Sequence, residues 1–248
     1  MQQRLHMVSA VKALCAALLL TVGALTGMGC GSGNDDEPHE LNGRVRVVHA
    51  SPDAPNVDVY VDNQRVLSNV PYRQFSGYLP VRAGNRNIRV TPANVNTDVI
   101  NANVFVAGGE DYTILATGRV ADLEPLVLND DNTAPAAGNI RLRLVHASPA
   151  DAAASVDIYV TAPGADINAI APTLSGVPFR AASNYLSVPA GDYRVRITPA
   201  GTKTVVIDTG TVSLPAGAIR TGVAVGDPSV NTAAGGAADL GALLLADN

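Results

Sequence analysis

The residue types best suited to chemistry occur in matched pairs. His49 and His146 each stand two residues before a serine, Ser51 and Ser148, and each serine is followed by proline. A serine nucleophile needs a base at hydrogen-bond distance and a third group to orient that base. A His-x-Ser spacing that runs straight into a Ser-Pro turn does not supply this arrangement. No Gly-x-Ser-x-Gly or His-Glu-x-x-His pattern occurs elsewhere. A metal would find one such histidine per pair and no cysteine, so carboxylates alone would have to complete its shell. Side-chain parity gives the imidazoles another use. Val45, Val47 and His49 fall on one face of a strand, as do Leu142, Leu144 and His146, and that face is apolar. A histidine there is expected to tuck in and tie down the following Ala-Ser-Pro turn by hydrogen bonds. The serine hydroxyls are expected to cap local backbone. The chain is therefore read as no enzyme, with no catalytic residue, metal or cofactor. An unrecognised hydrolase would need His49 in a cleft beside Asp53 or Asp58.

Asp58 and Asp157 are also matched, on the polar face of their strands. Arg44, Arg46, Arg141 and Arg143 hold the same face of theirs. If the strand carrying the arginines and the strand carrying the aspartate form a hairpin, the two sets meet. They would then make a polar recognition patch or, more simply, cross-strand ion pairs contributing about 0.2–1 kcal/mol. Acidic clusters at Asp35-Asp36-Glu37, Glu110-Asp111 and Asn129-Asp130-Asp131-Asn132 lack the spacing of a calcium loop and read as solvated linker ends.

These pairs belong to a repeat. Residues 44–52 recur at 141–149, an offset of 97; 57–61 recur at 156–160, offset 99; 70–73 and 78–93 recur at 177–180 and 185–200, offset 107. The segment 122–128 recurs at 239–245, offset 117. The growing offset places insertions between the matched apolar segments of the second copy, so loops lengthen while elements are kept. Copy one spans residues 41–131, a linker 132–138, and copy two 139–248.

Within each copy the apolar period is two. Val57, Val59 and Val61 alternate with Asp58, Tyr60 and Asp62, and Tyr193, Val195 and Ile197 alternate with Arg194 and Arg196. Short β-branched runs bounded by Gly, Pro, Asn and Asp predict half-buried strands. About seven per copy, with hairpin turns at Ala83-Gly84-Asn85 and Ala190-Gly191-Asp192, predict an all-β fold of two tandem β-sandwiches. A single helical turn fits residues 166–170. Alternating strand directions place both large insertions, 161–175 and 227–238, at the end of copy two opposite His146, a natural recognition surface.

The run from Val47 through His49, Ala50, Ser51, Pro52 and Asp58 to Val61 resembles the opening of a bacterial family known as domain of unknown function 4397. Copy one fits closely; in copy two, residues 150–155 replace the Asp-Ala-Pro-Asn of 53–56. The resemblance covers nearly all of the chain after its first forty residues. It implies an immunoglobulin-like or transthyretin-like module, in exported and lipid-anchored proteins and often in tandem, and it implies no activity.

The first residues read as an export signal at 1–29. Arg4 and Lys12 are basic, residues 13–25 are apolar but short for a membrane span, and small Gly27 and Gly29 precede Cys30. Cys15 would leave with the signal, so Cys30 would be the lone thiol of the mature chain, without an intrachain disulfide. Its position before a polar tether at 30–40 resembles a bacterial lipoprotein signal, although Gly27 stands where that signal prefers leucine; plain secretion after Gly29 is the other reading. The net charge is −5, and removal of Arg4 and Lys12 makes it more negative. Such a chain has no electrostatic reason to bind nucleic acid. Tryptophan is absent and aromatics are 4%. The expected role is a non-catalytic binding or structural module of the cell envelope, membrane-anchored through lipid on Cys30, with an unknown protein or glycan partner. The alternative is surface adhesion or carbohydrate binding, for which Tyr60 and Tyr159 are the aromatic candidates.

Overall fold

A computed structural model describes residues 41–231 and 237–248. The signal at 1–29, the tether at 30–40 and Cys30 lie outside the described residues. Copy one contains β1 (Asn42–His49), β2 (Val57–Val61), β3 (Gln64–Val70), β4 (Leu79–Arg82), β5 (Gly84–Pro92), β6 (Ile100–Val106), β7 (Asp111–Thr117) and β8 (Glu124–Asp130). Copy two repeats them as β9 (Asn139–His146), β10 (Ser155–Thr161), β11 (Leu174–Pro178), β12 (Leu186–Pro189), β13 (Gly191–Pro199), β14 (Ile207–Leu214), β15 (Ile219–Asn231) and β16 (Ala237–Ala246). Each copy forms two four-stranded sheets. The front sheets have the orders β4-β1-β7-β8 and β12-β9-β15-β16; the back sheets are β3-β2-β5-β6 and β11-β10-β13-β14.

Period-two patterning explains the cores. In copy one, Val45, Val47 and Ile114 of the front sheet pack on Val57, Val59, Ile88 and Val90 of the back sheet. In copy two, Ile140, Leu142 and Leu144 pack on Val156, Ile158 and Ile197. Each sandwich thus closes over residues of its own copy. A third core lies where the two front sheets meet. It joins Val48, Ala50 and Leu115 of copy one to Val145, Ala147, Val223, Val225 and Leu245 of copy two.

Several sequence expectations change. Among the described residues each copy has eight strands, not seven. The extra strand arises because residues 64–82 form two strands in different sheets: β3 pairs with β2, and β4 pairs antiparallel with β1. Ala83-Gly84 and Ala190-Gly191 therefore carry the chain from front sheet to back sheet and are not hairpin turns. The strand bearing Arg44 and Arg46 is likewise not in a hairpin with the strand bearing Asp58, because β1 and β2 lie in opposite sheets. Finally, β15 runs parallel to β9, with Ala224 beside His146. The β15–β16 connection thus leaves at the His146 end, whereas β10 runs away from that end to Thr161. The strand ends that bear the two insertions, Thr161 of β10 and the end of β15, thus lie at opposite ends of copy two, so the two insertions do not form the shared recognition surface expected from the sequence. The uncounted strand reversed the parity of every later connection. The insertion after β10 carries one 3-10 turn, Ile167–Ala169, capped by the Asp166 carboxylate, which accepts the Asn168 amide at 2.9 Å.

Candidate functional site

Both repeated histidines are almost fully buried. His49 Nε2 donates to the Pro55 carbonyl at 3.1 Å and His146 Nε2 to the Ala153 carbonyl at 2.5 Å. Each ring also meets an aromatic edge, Tyr72 and Phe179 respectively. Neither imidazole hydrogen-bonds its serine. Ser51 Oγ donates to Asp53 at 3.4 Å, and Ser148 Oγ to the Gly226 carbonyl at 2.5 Å. Burial pushes both imidazoles below their ordinary pKa, and the carbonyl bonds offset this in part. A base whose folded pKa is lowered binds its proton more readily when unfolded. Stability is therefore expected to fall as pH drops through the unfolded value of about 6.5. Thermal melts between pH 8 and pH 5 test this, and the double variant His49→Gln/His146→Gln should flatten the profile over that range. An equally steep wild-type and variant profile would assign the acid sensitivity elsewhere.

Asp58 and Asp157 are buried as well, at 3% and 6% exposure, although parity points them away from the sandwich core. The cause is a bulge. The β2–β3 register shifts between Val57 and Val59, and β10–β11 between Val156 and Ile158. Each aspartate accepts an amide released there, Asp58 from Asn69 at 2.7 Å and Asp157 from Gly176 at 2.8 Å; Asp157 also accepts the Gly201 amide of the turn after β13 at 2.9 Å. Asn69 and Gly176 both have positive φ, as the bulge demands. Asp58 also meets Arg65 at 3.4 Å, not Arg44 or Arg46.

Those arginines do something else. Arg44 bonds Asp111 of the adjacent β7. Arg46, only 1% exposed, crosses between the copies. Its guanidinium donates to Asp247 at 2.6 Å, to the Ala246 carbonyl at 2.7 Å and to Thr113 of its own copy at 2.7 Å. Arg143 does the converse, reaching Asp130, the Asn129 carbonyl at 2.9 Å and Thr221 at 3.1 Å. Tyr78 donates to Asp130 at 2.6 Å and Tyr185 to Asp247 at 2.9 Å, each ring lying under both arginines of its own copy. Equivalent residues exchange partners across an approximate two-fold axis. Asp130 and Asp111 are accordingly not solvated linker ends; both are buried. At the opposite end of the interface, Arg180 reaches into copy one, donating to Thr117 Oγ1 and the Asp122 carbonyl and pairing with Glu124 at 2.6 Å. Arg119 pairs with Asp227 at 2.6 Å.

The aromatic candidates separate. Tyr159 is 1% exposed beneath Lys203, whose ammonium also donates to the Ile167 and Ile170 carbonyls of the first insertion. It is no platform. Tyr60 is half-buried under Arg89. The sequence reading passed over Phe105 of β6, which is 64% exposed on the outer face of the copy-one back sheet. Asn101 and Asn103 share its face, both accepting from the Asn87 side chain.

A cavity of about 330 Å³ lies between the sheets of copy two. Leu142, Leu144, Ile158, Ile197, Val212 and Gly222 line it, and exposed Asp208, Ala242 and Leu244 are at its rim. Among the described residues, no cluster of three or more His, Cys, Asp or Glu could hold a metal ion, and no helix is long and apolar enough to cross a membrane.

The profile of a domain of unknown function, DUF4397, matches residues 43–159 and again 151–248. The chain belongs to the DUF4397 family. Its two matches correspond to tandem β-sandwiches, although the first runs past the linker into β10. No curated protein matches the chain. Among solved structures, the Bacillus anthracis TIE protein is 12% identical over 75% of this chain, with a TM-score of 0.25; this chain spans 34% of that one. A family 26 carbohydrate-binding module from Eubacterium rectale, solved with maltoheptaose, is 6% identical over 83% of this chain and 97% of its own, with a TM-score of 0.28. A streptococcal virulence factor described by its α-glucan binding is 9% identical over 69% of this chain and 88% of its own, at 0.23. Likeness this slight carries no argument about function.

Proposed function

We propose that this DUF4397 chain is a non-catalytic module of the cell envelope, tethered by lipid on Cys30, whose two sandwiches act as one rigid body. The observation that carries the reading is how the repeated ionisable residues are spent. His49 and His146 hold turns, Asp58 and Asp157 hold bulges, and Arg46 and Arg143 hold one copy to the other. Groups committed to buried structural bonds are poor candidates for proton transfer, which needs access to a substrate. A rigid pair of sandwiches at the end of a polar tether suits presentation of a binding face.

The test is fractionation with mass spectrometry. The wild-type protein should be found in the membrane fraction with diacylglycerol on Cys30, and Cys30→Ala should move it to the soluble envelope fraction or the medium. Unmodified wild-type protein in the medium would contradict the tether. Carbohydrate adhesion is the second reading, favoured by exposed Phe105 beside the Asn87–Asn101–Asn103 amides, a stacking surface flanked by hydrogen-bonding groups. A glycan array probed with residues 41–248 separates the two: adhesion requires binding that Phe105→Ala removes, and a purely structural role gives none.

A further inference from the structure

The cavity of copy two is a difference between copies that otherwise match strand for strand. Register fixes the equivalence. Val47 of β1 lies beside Ile114 of β7, and Leu144 of β9 lies beside Gly222 of β15. Ile114 is 3% exposed and fills the interior of copy one. Gly222 offers no side chain at the same place; it lines the cavity together with Leu144, whose tip leans towards it. The backbone does not ask for glycine there, since Gly222 is not among the residues with positive φ. A glycine in the middle of a strand weakens it, and one reason to keep it is the close approach of a ligand. An unfilled apolar space also forfeits packing that a methylated side chain would supply. Two costs fall on one residue, and the packing cost is relieved when something apolar occupies the space.

We propose that copy two binds a small neutral apolar molecule between its sheets, entering past the edge strands β14 and β16. The volume, about 330 Å³, lies at the lower end of the range for small-molecule sites. Leucine, isoleucine and valine make up most of the wall. At the rim, Asp208 is already held by Arg194 at 2.5 Å, with its pKa lowered to about 2. Asp208 is the one charged residue of the lining, and Arg194 neutralises it, so the wall presents no cation to a carboxylate or phosphate and no free anion to an ammonium group. Exposed Ala242 and Leu244 extend the apolar lining to the surface. Copy one, with Ile114 in place, serves as an internal control. The inference does not depend on the lipid tether.

Fluorescence titration of residues 41–248 with N-phenyl-1-naphthylamine tests it; this fragment contains all three cores. The wild-type fragment should bind saturably at one molecule per chain. Gly222→Ile, which restores the copy-one residue, should weaken binding at least tenfold. If circular dichroism shows that this variant does not fold, Gly222→Ala takes its place. A Cβ there would stand 3.1 Å from the tip of Leu144, which can turn aside, and a loss of about threefold is then expected. No saturable binding to wild type, two molecules per chain, or unchanged affinity in the folded variant would each overturn the proposal.

Discussion

Replacing Arg46 by methionine is expected to destabilise the fragment 41–248 by about 3–5 kcal/mol, while Arg44→Met two residues away costs about 0–1 kcal/mol. The two arginines share a strand, a face and a charge, and differ in surroundings. Arg44 is more than half exposed where it meets Asp111. Arg46 is sealed among Thr113, Asp247 and the ring of Tyr78, with Asp130 at 3.8 Å. Two buried carboxylates depend on Arg46 and Arg143 together, and water cannot reach them to compensate for a lost partner. Methionine restores apolar volume but leaves Asp247 without its cross-copy cation. Urea denaturation of both variants measures the contrast. Equal losses for Arg44→Met and Arg46→Met would show that the buried network carries no special share of stability.

The sequence made some of this legible. The repeat and the period-two pattern led to tandem β-sandwiches because each depends on local spacing. Strand count failed at Leu79–Arg82, four residues that look like the end of a longer strand until their partner, β1, is known. Parallel pairing of β1 with β7 was invisible for the same reason, since their register joins residues 67 positions apart, such as Arg46 and Thr113. The polar face of β1 was read as solvent-facing because it begins with Arg44 and Arg46. A signal to the contrary was present in β7. Asp-Tyr-Thr-Ile-Leu-Ala-Thr is buried at every position, on both faces, and strands apolar on both faces are covered on both faces. Leu126 and Leu128 continue that outer face on β8. The Ile114–Gly222 difference was also within reach, but only once β7 and β15 were aligned residue by residue.

The second large effect concerns what each copy does alone. Copy one, residues 41–131, has its own core and is expected to fold. Separated from copy two it exposes Val48, Leu115, Leu126 and Leu128 and leaves Arg46 and Asp130 without their cross-copy partners. Such a patch is an association surface. The approximate two-fold exchange of Arg46–Asp247 for Arg143–Asp130 means that self-pairing reproduces most contacts, as in any isologous interface. The symmetry is broken at Arg119 and Asp227. Gly118 and Gly226 are matched turn residues with φ of 104° and 111°, so Arg119 and Asp227 that follow them are equivalent, and they pair with each other. A pair of copy-one domains would bring Arg119 against Arg119, and a pair of copy-two domains Asp227 against Asp227. Like charges at matched positions disfavour the wrong partner, so copy one should prefer copy two to itself.

The central claim is that the two sandwiches are one body, joined by a third core and a buried exchange of charges. Mixing separately produced copies 41–131 and 139–248 and measuring the mixture by sedimentation velocity tests it most directly. The account predicts a one-to-one complex that forms in preference to either self-pair and is weakened by Asp227→Arg. Two folded copies that sediment independently, with no complex at tens of micromolar, would contradict it.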